Sequence, residues 1–599
     1  MAGAKMETEY LDYGELIGAA VQYSVPVYQR KYSWSDEQYE RLWKAIDILR
    51  SSSGRPPHFM GAVVVAPKTK SRYTIHVLVD GQQRILTLCV LTLAIADSMA
   101  TLSRTKKIRQ SLYLPVGKKS EPRVVAGPLD DETLVALLEN SPTIELKQQL
   151  MRCYEFYIRK LERFSDSELV RILGIVKRRL RFVRIITDRN ANPQEIFETL
   201  NHDGMPLDPV DLIRNYLFMG VGAKADDLYR TRWVSVEASL RGRSLSDFFL
   251  CWSIYESRIG LHNLRIDQKS LFPAFKELTT ARFIGLTGGE SLIRQLAEEA
   301  QPFVEIIRPS SMTFGANKLQ RQIQVLLEDL RTWNPHATEP MIYQLHYQWR
   351  ESRISDSEYV KSLHEIESFL VRWMLAGNPQ GNMTSYLRSI ARSEAFQVES
   401  RNPATILRGF FNRSQPKGEL PTNELIFKRL AGANFYKSDS QHHYVLRRLF
   451  QADQQLRNGE LIMPAFDPRA LKQPPIDRRW SIDHIMPQNR TQWKPELTAW
   501  GVKEEMAERV LHTIGNLCLL PESTNPAAGN LPWSSVNRSN LIEASQAPEY
   551  ISKRDWYKSI GFNMTNGISK NRKFTPEIIR KRSRTLAQLA FVVWPEPWK

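Results

Sequence analysis

Short β-branched runs at His58 to Ala66, Thr74 to Val79 and Val183 to Thr187 stand out in the first third of the chain, and each predicts a strand. Between the second and third lies Ile85 to Ala96, nearly all apolar. It is shorter than the roughly 20 residues a membrane helix needs and contains two Thr, so it predicts a buried helix. Two helices have clear start signals. Asn192-Pro193-Gln194-Glu195 puts Asn at the cap, Pro in the first turn and an acid three residues on, and Asp208-Pro209-Val210-Asp211 repeats the pattern. From about 225 to 440, Trp, Leu, Arg and Glu recur at helical spacing with no isolated chemical motif, which reads as a scaffold or a DNA-facing arm. A closing helix is predicted from Pro576 to about Val593.

The segment Ser481-Ile482-Asp483-His484-Ile485-Met486-Pro487-Gln488 carries the sharpest chemistry, followed by Ile514-Gly515-Asn516-Leu517-Cys518-Leu519-Leu520 and Asn525. Cutting a phosphodiester takes a base for the attacking water and a cation to neutralise the phosphate and the leaving oxygen. On an extended strand adjacent side chains face opposite ways, so Asp483 can serve a metal while His484 serves the water. The segment resembles the HNH, or ββα-metal, nucleases. The resemblance implies His484 as general base, Asp483 and Asn525 as metal ligands, and Asn516, nine residues before Asn525, as the residue that steadies the base-bearing loop. Asn rather than His at the third position favours a hard ion, Mg²⁺ or Mn²⁺, over zinc. His512 has no assigned part in that motif and reads as a structural or supporting residue.

Two further segments carry functional readings beside plainer ones. Asp80-Gly81-Gln82-Gln83-Arg84 joins a predicted strand to a predicted helix, where free backbone N–H groups and the helix dipole suit an anion and Arg84 can grip a phosphate. Asp80 and Gln83 also have capping-box spacing, which is the purely structural alternative. The run Val25-Pro26-Val27-Tyr28-Gln29-Arg30-Lys31-Tyr32-Ser33-Trp34 interleaves aromatic and basic residues, suited to stacking on bases and pairing with phosphates, or to anchoring the amino terminus as a packed cluster. Asp211 and Arg214, within Asp211-Leu212-Ile213-Arg214-Asn215, read as an i,i+3 surface pair.

Composition narrows these choices. At 599 residues the chain exceeds one core, and about 150 residues per domain implies two to four. With 82 Lys and Arg against 65 Asp and Glu, the net charge of +17 suits a polyanion. Ten Lys and Arg between Lys553 and Arg584 face only Asp555 and Glu577, which makes either a duplex clamp or a solvated helix face. The four cysteines are far apart with no C-x-x-C pair, which argues against a disulfide scaffold or zinc ribbon and for a reducing cytoplasm. No signal pattern and no membrane-length apolar run is present.

Four motifs in order resemble the GmrSD group of prokaryotic, modification-dependent (type IV) restriction enzymes. They are Pro26-x-Tyr28-Gln29-Arg30-x-Tyr32-x-Trp34, Asp80 to Arg84, Phe197-Glu198-Thr199-Leu200-Asn201 with the downstream Asp211 to Asn215, and the Asp483-His484 site. The resemblance implies an α+β multidomain chain. A mixed α/β, ParB-like domain spans 1–220, a mostly helical middle 221–440, and a ββα-metal (HNH) nuclease domain set within helices 441–599. It further implies that Asp80, Gly81, Gln82, Gln83 and Arg84 bind and hydrolyse GTP or another NTP, that Tyr28, Gln29 and Arg30 read a DNA modification such as phosphorothioate, and that the nuclease nicks or cuts modified double-stranded phage DNA. A homodimer is left open. The group often carries Ser-Phe-x-x-Lys after the ligand Asn. Here Leu531-Pro532-Trp533-Ser534-Ser535-Val536-Asn537-Arg538 stands instead, with Arg538 as the substitute for that Lys. Two other readings are a nucleotide-switched DNA-binding regulator with an inactive HNH fold, and a DNA-damaging toxin.

Overall fold

The computed structural model describes residues 7–18, 20–51, 54–69, 73–116, 119–141, 148–187, 208–240, 245–257, 264–280, 285–312, 317–333, 335–393, 396, 402–413, 416–457, 480–521, 530–534, 552–559 and 567–597. It forms two compact units, Met1–Arg241 with Gln268–Glu298, and Gly242–Asp267 with Glu299–Lys599. Most of the helical middle, apart from residues 221–241 and 268–298, which belong to the first unit, shares the second unit with the nuclease region. One reason is that helix Asn423–Gly432 packs directly on helix Pro576–Val593.

The first unit is built on a six-stranded mixed sheet. Its strands are β1 (Glu7–Asp12), β2 (Val21–Ser24), β3 (His58–Thr69), β4 (Thr74–Asp80), β7 (Val124–Val125) and β8 (Leu180–Ile186), in the order β1-β8-β3-β4-β2-β7. β5 (Tyr113–Val116) and β6 (Lys119–Pro122) pair separately as an antiparallel hairpin. The three β-branched runs form β3, β4 and β8, which lie side by side in the sheet: β3 is antiparallel to β4 and parallel to β8. Helix Gln82–Asp97 carries the predicted apolar run, with every residue from Ile85 to Ala96 buried. It packs in one core with helices Asp36–Ser51, Gln149–Leu161 and Asp166–Arg179. At the start of helix Pro209–Gly220, Asp208 accepts a hydrogen bond from the Val210 N–H (2.9 Å) with Pro in the first turn, as the sequence predicts. The start predicted at Asn192 to Glu195, and the segment Phe197 to Gly204, lie outside the described residues.

β4 turns into its helix at Gly81, whose φ of +93° is left-handed. A Cβ there would sit 3.0 Å from Val63 Cγ2 and 3.2 Å from Val63 Cα, so the turn can lie against β3 only as glycine.

The second unit is mainly helical. Helix Asp356–Leu375 opens with a Ser355/Glu358 capping box and buries nearly every turn. Its Arg372, 1% exposed, donates to the carbonyls of Pro421 and Trp594, which ties the end of the chain into this unit. Within the unit, β9 (Trp480–His484) and β10 (Leu517–Pro521) form an antiparallel ribbon in which His484 faces Leu517 and Asp483 faces Cys518. It packs on a local core of Ile485, Met486, Trp493, Trp533, Tyr557 and Phe574, among others. Helix Pro576–Val593 packs on the turn just before β10 at Gly515, where a Cβ would meet the Ile579 carbonyl at 2.1 Å. The glycine lets the backbones touch, and its N–H donates to Ser583 Oγ (3.0 Å).

Candidate active site

β9 ends in adjacent residues with separate surroundings. On one side, the buried Asp483 carboxylate accepts a hydrogen bond from the Tyr557 hydroxyl (2.6 Å) and lies 3.1 Å from Lys553 Nζ. Lys553 is fully buried and also donates to the His484 carbonyl (2.6 Å). On the other side, His484 Nε2 lies 3.0 Å from His512 Nδ1, and the Tyr436 ring sits 4.5 Å from the His484 ring. Burial first, then His512 and Lys553, hold the His484 imidazole down to about 4, so it is neutral at pH 7 and has a lone pair.

Asn516, fully buried, fixes the loop that follows. It accepts from the Met486 N–H (2.8 Å) and donates to the carbonyls of Met486 (2.9 Å) and Leu511 (2.8 Å), while the Ile485 N–H donates to its backbone carbonyl (2.8 Å). Asn525 and Arg538 lie outside the described residues.

Sequence reasoning missed Lys553, Tyr557 and Tyr436. They reach the strand from 70, 74 and 48 residues away, and only the basic run around Lys553 gave any signal. That run is corrected in part. Lys553 is spent on Asp483, Arg554 donates to the Ser569 carbonyl (2.9 Å), and Arg582 donates to the carbonyls of Gly515 (2.7 Å) and Leu517 (2.9 Å). Lys553 and Arg582 brace the site and Arg554 bonds within the run itself, so these three are committed to the fold and not to a clamp.

In the first unit the two amino-terminal motifs are bonded to each other. Gln29 Nε2 donates to the Val79 carbonyl (3.0 Å) and Gln82 Nε2 to the Arg30 carbonyl (2.8 Å), while Gln83 Oε1 accepts from the N–H groups of Ser33 (2.8 Å) and Trp34 (3.3 Å). Both glutamines of the box are buried. The helix is capped by Gly81 with no side-chain bond, so the Asp80–Gln83 capping box does not form. Asp80 and Arg84 remain partly exposed, 3.8 Å apart, with Arg84 also donating to the Ala62 carbonyl.

Tyr28 stacks on Phe218 (6.4 Å, 5°) and borders an open cavity of about 350 Å³ lined also by Pro26, Lys68, Asp131, Asp226 and Arg230. Gln29 points away from that cavity into β4. Asp211 and Arg214 are not a surface pair. They are 15% and 12% exposed, bonded at 2.7 Å, and Arg214 also holds Glu237 (2.8 Å), which accepts from Tyr229 and Trp233.

All four cysteines are buried and outside any disulfide, and burial pushes the thiols of Cys89, Cys153 and Cys518 up to about 12, which leaves these three inert as ligands or nucleophiles. Asp247, His336 and Glu339 bring ligand atoms within 4.8 Å of one another, the one such group among the described residues, and it shares none with the β9 site. No helix among the described residues is long and apolar enough to cross a membrane.

Residues 13–218 match the GmrSD restriction endonuclease, N-terminal domain, and residues 420–589 match the GmrSD restriction endonucleases, C-terminal domain, together well over half the chain. Both describe DNA-cutting restriction enzymes, and the β9 ribbon lies within the second match. The chain belongs to the GmrSD restriction endonuclease family. No curated protein matches it.

Proposed function

We propose that this restriction endonuclease cuts or nicks double-stranded phage DNA at the β9 site, with His484 as general base. The observation that carries the reading is the split environment of two neighbours, a carboxylate held by Lys553 and Tyr557 and an imidazole held by His512. His484 takes a proton from water, the hydroxide attacks phosphorus, and the P–O3′ bond breaks with its electron pair on the 3′-oxygen, which takes a proton from solvent. Lys553 keeps a fixed positive charge beside the reacting groups, and the phosphate's negative charge raises the proton affinity of His484 as it arrives. A carboxylate offers about four lone-pair sites, so Asp483 retains capacity for a hard ion beside its two partners. Asp483 and Asn525 would hold Mg²⁺ or Mn²⁺, which when bound neutralises charge on the phosphate and the leaving oxygen.

We further propose that the first unit senses a DNA modification, such as phosphorothioate, at the cavity beside Tyr28, with Arg30 two residues further along the same loop. A nucleoside triphosphate, GTP among them, would meet the turn at Asp80, Gly81 and Arg84. Gln82 and Gln83 do not fit as phosphate donors while they hold the 29–34 loop. A cytoplasmic setting agrees with the free cysteines.

The test is cleavage of matched plasmids, unmodified, phosphorothioated, and glucosylated or hydroxymethylated, in Mg²⁺ with and without GTP, with His484→Ala as control. Cutting that requires one modification and is abolished in His484→Ala, with DNA binding retained, supports the proposal. Cutting indifferent to modification points to a toxin, and binding without cutting points to a nucleotide-switched regulator.

A further inference from the structure

His512 stands where a partner for the base belongs, and it is anchored by both its backbone and its ring. Its carbonyl accepts from the N–H groups of Phe435 (2.8 Å) and Tyr436 (3.1 Å). Its ring stacks on Tyr436 (5.6 Å, 21°), and the preceding carbonyl, Leu511, is held by Asn516. That same asparagine holds Met486, two residues beyond His484. Both imidazoles are therefore anchored through one buried amide, and the 3.0 Å contact between them is set by the backbone on each side.

The contact joins His484 Nε2 to His512 Nδ1, so only one ring nitrogen of His484, Nδ1, is left to meet water. A hydrogen bond needs one donor, and there are two ways to supply it. If His512 donates, the proton of neutral His484 sits on Nδ1 and the ring cannot accept another from water. If His484 donates from Nε2, its Nδ1 has the lone pair.

Resting on His484 as the base, we infer that His512 is a positioning residue that accepts the Nε2–H of His484, fixing the tautomer whose Nδ1 receives the proton of the attacking water. When Nδ1 gains that proton the Nε2–H remains, and its bond to His512 becomes charge-assisted and stronger. Nδ1 of His512 thus does for His484 what a backbone carbonyl or carboxylate does for other catalytic histidines.

The test compares two substitutions in the full chain that divide the properties of His512. His512→Phe keeps the ring on Tyr436 and removes the acceptor. His512→Asn removes the ring and places an amide oxygen close to the position of Nδ1. On phosphorothioated and unmodified supercoiled plasmid in Mn²⁺, the Phe variant is expected to lose kcat ~10- to 100-fold at unchanged KM, and the Asn variant to stay within a few-fold of the parent. Long-range ¹H–¹⁵N correlation on histidine-labelled protein, with His484→Ala for assignment, is expected to show the Nε2–H tautomer of His484 in the parent and the Asn variant, and a mixture in the Phe variant. An Nδ1–H tautomer in the parent, or a Phe variant that cuts faster than the Asn variant, overturns the inference. Cutting that survives in His484→Ala overturns the choice of base instead, and the tautomer measurement still decides the pairing.

Discussion

Replacing Asn516 with alanine removes three hydrogen bonds from a side chain that water does not reach. The Met486 N–H loses the acceptor the structure gives it, at a cost of ~2 kcal/mol for a buried orphan donor. The carbonyls of Met486 and Leu511 each lose a donor, and under-satisfied carbonyls are better tolerated, at ~1 kcal/mol apiece. The sum is ~4 kcal/mol, or ~3 if a water enters the space left behind. A chain with two compact units need not unfold in one step, so a global midpoint is the wrong measure. Hydrogen exchange followed by mass spectrometry on the peptide spanning Trp480 to Gln488 reads the local opening directly, and ~3 kcal/mol is on the order of 100-fold faster exchange.

Asn516→Asp makes the comparison sharper. It keeps an acceptor for Met486 but turns an oxygen toward two carbonyls, a site that rewards only the protonated acid. Its folded pKa is therefore raised above the unfolded value of about 3.9, so the protection it confers is present at low pH and is lost as pH rises through the folded value. Unchanged exchange of this peptide in Asn516→Ala at pH 7 would refute the account of how the loop is held.

Lys553→Met leaves Asp483 without its ammonium partner. It should cost ~3–5 kcal/mol in local opening, read by hydrogen exchange on the same Trp480 to Gln488 peptide, with part of the loss recovered in the Lys553→Met, Asp483→Asn double variant; an additive double variant speaks against the pair. In the first unit, burial and then Arg184 hold His76 down to about 4, below an unfolded value of about 6.5. Its neutral ring thus contributes stability that is full above about 6.5 and lost as pH falls toward 4. Hydrogen exchange of the peptide spanning β4 between pH 7 and 4.5, corrected for the intrinsic pH dependence of exchange, should show that slope and His76→Phe should flatten it; an equally steep variant removes His76 as the cause. Gln83→Ala should speed amide exchange at Ser33 and Trp34 about tenfold or more, while Gln83→Glu, which keeps an acceptor oxygen, should not.

The elements legible in the sequence were those whose signal is local. The β-branched runs and the apolar run could be placed within a few residues, as could the Asp208-Pro209 cap and the closing helix. β1 was invisible because its residues are mostly polar and none is buried, and it is held as a strand by pairing with β8, some 170 residues away. The same limit applied at the sites. The separate surroundings of Asp483 and His484 could be foreseen because a strand places neighbours on opposite faces, a property of two adjacent residues. What each touches depends on Lys553, Tyr557 and His512, which only the fold brings near. Asp211 and Arg214 looked solvated because their third member, Glu237, comes from two helical segments later.

The clamp between the 29–34 loop and the Gln82-Gln83 pair makes the two amino-terminal motifs a thermodynamic unit. Three well-formed hydrogen bonds, from Gln29, Gln82 and the Ser33 N–H, are satisfied only while loop and helix start keep their present spacing. An occupant of the loop that pulls it outward must break them at ~1 kcal/mol each. The resulting ~3 kcal/mol is a coupling free energy, worth up to ~150-fold in affinity, and linkage requires it to act equally in both directions. On the proposed reading, a molecule at the Asp80 to Arg84 turn that kept these bonds in place would oppose an occupant that pulls the loop outward, and the opposition would be mutual. The two motifs would then be coupled through glutamine amides.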